Sequence, residues 1–113
     1  MANPNNLTER EFMALIAKRP GMYIGRPNFP AITHFLTGYD TAARRYGQSL
    51  LDGFGDWLIT NYTGQQTSLG WPGSIMSIAL PDHGFLDDLT PEEHSHVLDV
   101  LFDLLDKFLA ERE

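Results

Sequence analysis

Thr90-Pro91-Glu92-Glu93-His94-Ser95-His96-Val97-Leu98-Asp99-Val100-Leu101-Phe102-Asp103-Leu104-Leu105-Asp106-Lys107-Phe108-Leu109 is the stretch that decides the fold. Thr90 is an N-cap, Pro91 stands where a first-turn proline loses no hydrogen bond, and Glu93 completes a capping box. Val97, Leu98, Val100, Leu101, Leu104, Leu105, Phe108 and Leu109 then recur at helical spacing on one wide face. Glu92, His96, Asp99, Asp103 and Asp106 line the opposite face. So broad an apolar face has to be buried, which requires other helices to cover it.

The rest of the chain supplies them. Thr8 and Glu11 repeat the capping-box spacing, and Phe12, Leu15 and Ile16 follow at helical intervals. A first helix is expected from Thr8 to Lys18, where basic residues suit its end and Pro20 stops it. From Pro30 to Tyr46, residues Ile32, Phe35, Leu36, Tyr39, Ala42, Ala43 and Tyr46 fall on one arc, with Gly47 as the C-terminal cap. A third helix is expected from Leu50 to Tyr62, with Asp52 and Asp56 on its polar side. Its glycines, Gly53 and Gly55, imply close packing against a neighbour. Gly64 to Gly73 reads as an exposed loop closed by Trp71-Pro72, and Pro81 to Leu89 as another. Ser74 to Leu80 is short and apolar; periodicity allows helix or strand, and helix is preferred. The expectation is an all-α fold: one domain over residues 1–113, four or five helices, and an extended segment at Met22 to Ile24 across one end.

Composition narrows the class. A 113-residue chain with 42% apolar and 12% aromatic residues is long enough for one sizeable core and too apolar for disorder. No apolar run approaches the ~18 residues of a membrane span, and Met1 to Asn6 lacks a signal-peptide pattern. Without cysteine, disulfides, thiol catalysis and thiolate metal sites are excluded, and a cytosolic setting fits best. The net charge of −7 is unevenly placed: residues 1–49 carry a net +3, and residues 50–113 a net −10. Such an acidic surface disfavours direct nucleic-acid binding and favours a basic protein partner, although solubility alone also explains it.

Arg19-Pro20-Gly21-Met22-Tyr23-Ile24-Gly25 joins the first two helical patterns through a Pro-Gly turn and a short apolar run. These residues resemble a segment near the N-terminus of the gyrase B and topoisomerase ATPase domain. The resemblance stops there, because the following helix lacks Glu-x-x-Asp-Asn and the chain has no Asp-x-Gly-x-Gly. Asp52-Gly53-Phe54-Gly55 has the wrong spacing. ATP hydrolysis is therefore not expected, and Arg19 to Gly25 is read as a structural junction. A wider resemblance adds Phe35-Leu36-x-Gly38-Tyr39, Phe54-x-x-Trp57-Leu58, Trp71 and the helix from Leu101 to Leu109. In these features the chain is similar to a group of small bacterial proteins encoded beside polymorphic toxins. That resemblance implies a candidate immunity protein, which binds its cognate toxin without catalysing a reaction.

The remaining chemistry is sparse. His94 and His96 are two apart, so they cannot share a helix face as metal ligands three or four apart do. His96 and Asp99 have the required spacing but read as a solvated face. Asp52 and Asp56 share a face without a recognisable pocket, and no serine or threonine has a nucleophile's setting. No cofactor or metal is expected. Trp57, Trp71 and Tyr62 would suit an aromatic cleft rimmed by Gly64 to Gly73, although Trp57 at helical spacing is more naturally core. The expected function is partner binding through Asp52, Asp56, Trp71, Glu92, Asp99, Asp103 and Asp106. The alternatives are a small-molecule or nucleotide-binding protein using the Arg19 to Gly25 turn, and a structural subunit of an assembly.

Overall fold

The computed structural model describes residues 7–19, 28–84 and 88–112. Its helices are α1 (Glu9–Lys18), α2 (Phe29–Arg44), α3 (Phe54–Leu58), α4 (Gly70–Ala79) and α5 (Pro91–Arg112), with α3 running directly into a π-helical turn, Ile59–Thr63. The fold is all-α, and no strand occurs among the described residues. The expected extended segment at Met22 to Ile24 lies outside the described residues, as does Pro20 to Gly25 of the junction. Arg19 is exposed and caps α1, its N–H donating to the Leu15 carbonyl.

Both capping boxes form as the sequence predicts. Thr8 Oγ1 accepts the Glu11 N–H at 3.1 Å while Glu11 Oε1 accepts the Thr8 N–H at 3.0 Å. At α5, Glu93 Oε1 accepts from Thr90 N–H at 2.8 Å and Thr90 Oγ1 from Glu93 N–H at 3.1 Å. Each box satisfies two amides that a helix start leaves without partners. Asn28 caps α2 with a single bond, its Oδ1 accepting the Ala31 N–H at 2.8 Å.

Helix α5 is the central packing element, touching each of the other four. Its Val97, Leu101 and Leu105 are fully buried against Ile16 of α1, Ile32 and Leu36 of α2, Phe54 and Leu58 of α3, and Ile75 of α4. Burying each such side chain contributes about 1.5–3 kcal/mol. An aromatic group extends this core, with Phe54 packed on Phe108 at 5.3 Å, Trp71 at 5.8 Å and Trp57 at 6.2 Å between ring centroids.

Three boundaries differ from the sequence expectation. Helix α2 ends at Arg44, so Tyr46 leaves the apolar arc and is 80% exposed. Gly47 (φ 76°) does close the turn, with Gly47 N–H donating to the Arg44 carbonyl and Gln48 N–H to that of Ala43. The helix expected from Leu50 begins only at Phe54, because Gly53 is left-handed (φ 85°) and Asp40 takes the Leu50 and Leu51 amides. Gly53 is thus needed for its backbone angle. A Cβ on Gly55 would meet Trp71 only at 3.9 Å, so close packing does not require glycine there. Finally, α4 starts at Gly70, inside the stretch read as a loop, since Pro72 falls in the first turn where its missing N–H is harmless. Ser74 to Ala79 is helical, as preferred.

Candidate functional site: an acidic-edged groove between α1 and α5

The apolar stripe of α5 is wider than α1 can cover, and this leaves a groove of about 620 Å³ between them. Met13 and Leu98 form its buried base, at 2% and 8% exposure. Ala14 and Ala17 keep the α1 wall low, and Phe102, half-buried, forms part of the α5 wall. Asp99, Asp103 and Asp106 edge the α5 side, one helical turn or so apart, with Lys18 on the α1 side.

The carboxylates are not equivalent. Asp106 accepts two hydrogen bonds from Arg10, at 2.9 Å from Nε and 3.1 Å from Nη2, and is an interhelical clamp. The Arg10 guanidinium holds its carboxyl below the usual aspartate range. Asp103 pairs with Lys107 at 3.2 Å on the same helix face, and this bond raises the lysine's pKa. Both side chains are more than half exposed, so the pair is weak and open to exchange with an incoming cation. Asp99 is exposed.

Of the residues singled out from sequence, the groove brings together Asp99, Asp103 and Asp106 but not Asp52, Asp56, Trp71 or Glu92. Asp52 is exposed and lies 3.9 Å from Arg44 Nη2. Asp56 and Glu92 are exposed on α3 and at the start of α5. Trp71 is half-buried and anchors the aromatic core. The groove's apolar members were not singled out. The signal was Phe102, an apolar residue off the main α5 stripe among aspartates.

Two of the histidines, His94 and His96, link helices. Nδ1 of His94 accepts the Phe29 N–H at 3.2 Å, and His96 Nε2 lies 3.0 Å from the Ala79 carbonyl oxygen. They tie the first turns of α5 to α2 and α4, and His96, like Asp99, is exposed on the face read as solvated. Among the described residues, no group of three or more His, Asp or Glu side chains is placed to hold a metal ion. No described helix is long and apolar enough to cross a membrane. No protein-family model matches this chain, and no curated protein or solved structure is significantly similar to it.

Proposed function

We propose that this chain is a non-enzymatic, cytoplasmic protein-binding module, a candidate immunity protein whose α1–α5 groove receives a basic amphipathic segment of a cognate toxin. One observation carries the reading: Leu98 and Phe102 share one groove with Asp99 and Asp103. An apolar floor supplies the affinity of a partner helix laid into it, and the flanking carboxylates steer lysine or arginine toward it. A second copy of this chain is a poor occupant, because each brings a net charge of −7 to the contact.

The test is binding kinetics against the toxin encoded by a neighbouring gene. The Asp99→Asn, Asp103→Asn double variant, which leaves the Asp106 clamp in place, should associate several-fold more slowly. The wild-type on-rate should also fall with salt, as exposed charges are screened beyond ~8 Å at physiological ionic strength. Phe102→Ala should instead speed dissociation. Unchanged kinetics in both variants would remove the groove from the interface.

A further inference from the structure

The charges along the α1–α5 groove are not spent evenly. Arg10, in the first turn of α1, reaches Asp106 near the end of α5. Lys18, in the last turn of α1, shares the groove with Ser95 near the start of α5. The two helices therefore run antiparallel, and the two ends of the groove differ in chemistry. Toward the Asp106 end the charges are paired, Arg10 with Asp106 across the helices and Asp103 with Lys107 along α5.

At the other end two opposite charges are left over. Lys18 stands on the α1 wall and Asp99 on the α5 wall, both exposed. Among the described residues, neither side chain has an ion-pair or hydrogen-bond partner. They do not close on each other as Arg10 and Asp106 do, and the apolar base of Met13 and Leu98 lies open beside them.

This arrangement sets terms for a helix laid in the groove. Its α5 flank meets Asp99 and Asp103, four residues apart, and calls for two cations one turn apart. Its α1 flank meets Lys18. A cation there adds like-charge repulsion, and an apolar group there takes an ammonium out of water with nothing to replace its hydration. A carboxylate there pairs with it. Turning the bound helix end for end exchanges its flanks and sets its cations against Lys18, so the pattern admits one direction. Lys18 also suits the negative end of the α1 dipole, but that role is blind to the charge on a partner.

We infer that Lys18 is a specificity-determining residue of this groove: it selects a partner segment with two cations on one flank and a carboxylate on the other, held in one direction. The inference rests on the reading of the groove as a protein-docking site and adds the counter-charge to it. It reverses what net charge alone dictates, since a chain of net charge −7 would otherwise bind the most basic segment best.

Two synthetic, end-capped helical peptides test this on the full chain. They share one leucine stripe and two lysines one turn apart on one flank; the opposite flank carries glutamate in one peptide and lysine in the other. Both should shift the Ala17, Leu98 and Phe102 amide resonances, and the glutamate peptide should bind the wild-type chain at least several-fold more tightly. Lys18→Gln should erase that advantage and Lys18→Glu should reverse the order, at an exposed position where neither change disturbs the core. Tighter binding of the lysine peptide to the wild-type chain would overturn the role of Lys18, as would an order unchanged in Lys18→Glu. Absence of shifts at the groove amides with either peptide would instead remove the docking reading, and the inference with it.

Discussion

Arg10 grips Asp106 through two parallel hydrogen bonds, 2.9 Å from Nε to Oδ1 and 3.1 Å from Nη2 to Oδ2, across ninety-six residues of sequence. The pair fixes the N-terminal end of α1 on α5 and so sets the width of the groove. The two side chains are 38% and 48% exposed, so water and salt reduce the pair to about 0.2–1 kcal/mol. Asp106→Asn should therefore lower the Tm by only a few degrees while clearly speeding hydrogen exchange in α1. An unchanged α1 exchange rate would show that Met13 and Ile16 alone hold the helix.

Among the described carboxylates, Asp40 is the buried one and accepts four hydrogen bonds. It is 7% exposed, and its Oδ1 accepts the Leu50 N–H at 2.8 Å, the Leu51 N–H at 3.0 Å and the Ser49 hydroxyl at 3.1 Å. Arg44 Nε donates to the other oxygen at 2.9 Å. Asp40→Ala would strand two buried amides and should cost roughly 3–5 kcal/mol. Asp40→Asn keeps an acceptor for the amides but turns N–H groups toward Arg44, and should cost roughly 1.5–3 kcal/mol. Arg44→Met should cost about 1 kcal/mol or less, because that side chain is 56% exposed. Urea denaturation of the three variants checks the ordering, and a costlier Arg44→Met would make the ion pair the main element.

The same contacts set the response to pH. Burial alone would raise the Asp40 pKa, but the Leu51 and Leu50 amides, Ser49 and Arg44 outweigh it and hold the carboxyl below its ordinary 3.8. Asp106 is lowered too, by Arg10. A depressed folded pKa means that the stability is complete above the ordinary value and is lost as pH falls through the folded one. Acid unfolding should thus set in below pH ~4 and be much reduced in slope in Asp40→Asn. Tyr39 behaves oppositely: burial and its 2.9 Å hydrogen bond to Glu9 raise it from 10.0 to about 12. Its contribution is complete below pH 10.0 and is lost as pH rises through about 12. Tyr39→Phe should remove a step near pH 12 from the ultraviolet tyrosinate titration.

Local chemistry was legible in the sequence at the two capping boxes, whose partners lie within one helical turn. Thr8 with Glu11 and Thr90 with Glu93 are three residues apart, and both pairs cap the helices expected of them. The long α5 face was legible for the same reason, as was its place at the centre of an all-α bundle. Asp40 was overlooked, yet it follows Ile32 and Leu36 at four-residue intervals on a buried stripe, and a carboxylate there requires partners. The start of α3 was not legible, because the acceptor for the Leu50 and Leu51 amides comes from α2. In the site, the acidic edge was visible as a stripe on one helix. The groove beside it arises only when Met13, Ala14 and Ala17 of α1 are set against α5.

Gly73 gives the sharpest test of the packing around α4. It lies in the interior of that helix, where alanine is ordinarily preferred by about 1 kcal/mol. The added Cβ, however, would stand 2.7 Å from Leu69 Cβ and 3.1 and 3.2 Å from the Thr67 side chain. Leu69 Cβ is fixed to its own backbone, so the relief must come from moving the loop that closes the α4 N-terminus. Such overpacking typically costs ~1–3 kcal/mol, which outweighs the propensity gain. Gly73→Ala should therefore lower stability by up to about 2 kcal/mol and displace the Thr67 and Leu69 amide resonances. Gly38→Ala is the control, since a Cβ there meets nothing within 4 Å on an exposed face of α2. That substitution should raise stability by about 0.5–1 kcal/mol through helix propensity alone. Equal gains from both substitutions in thermal denaturation would mean that the loop does not rest on α4.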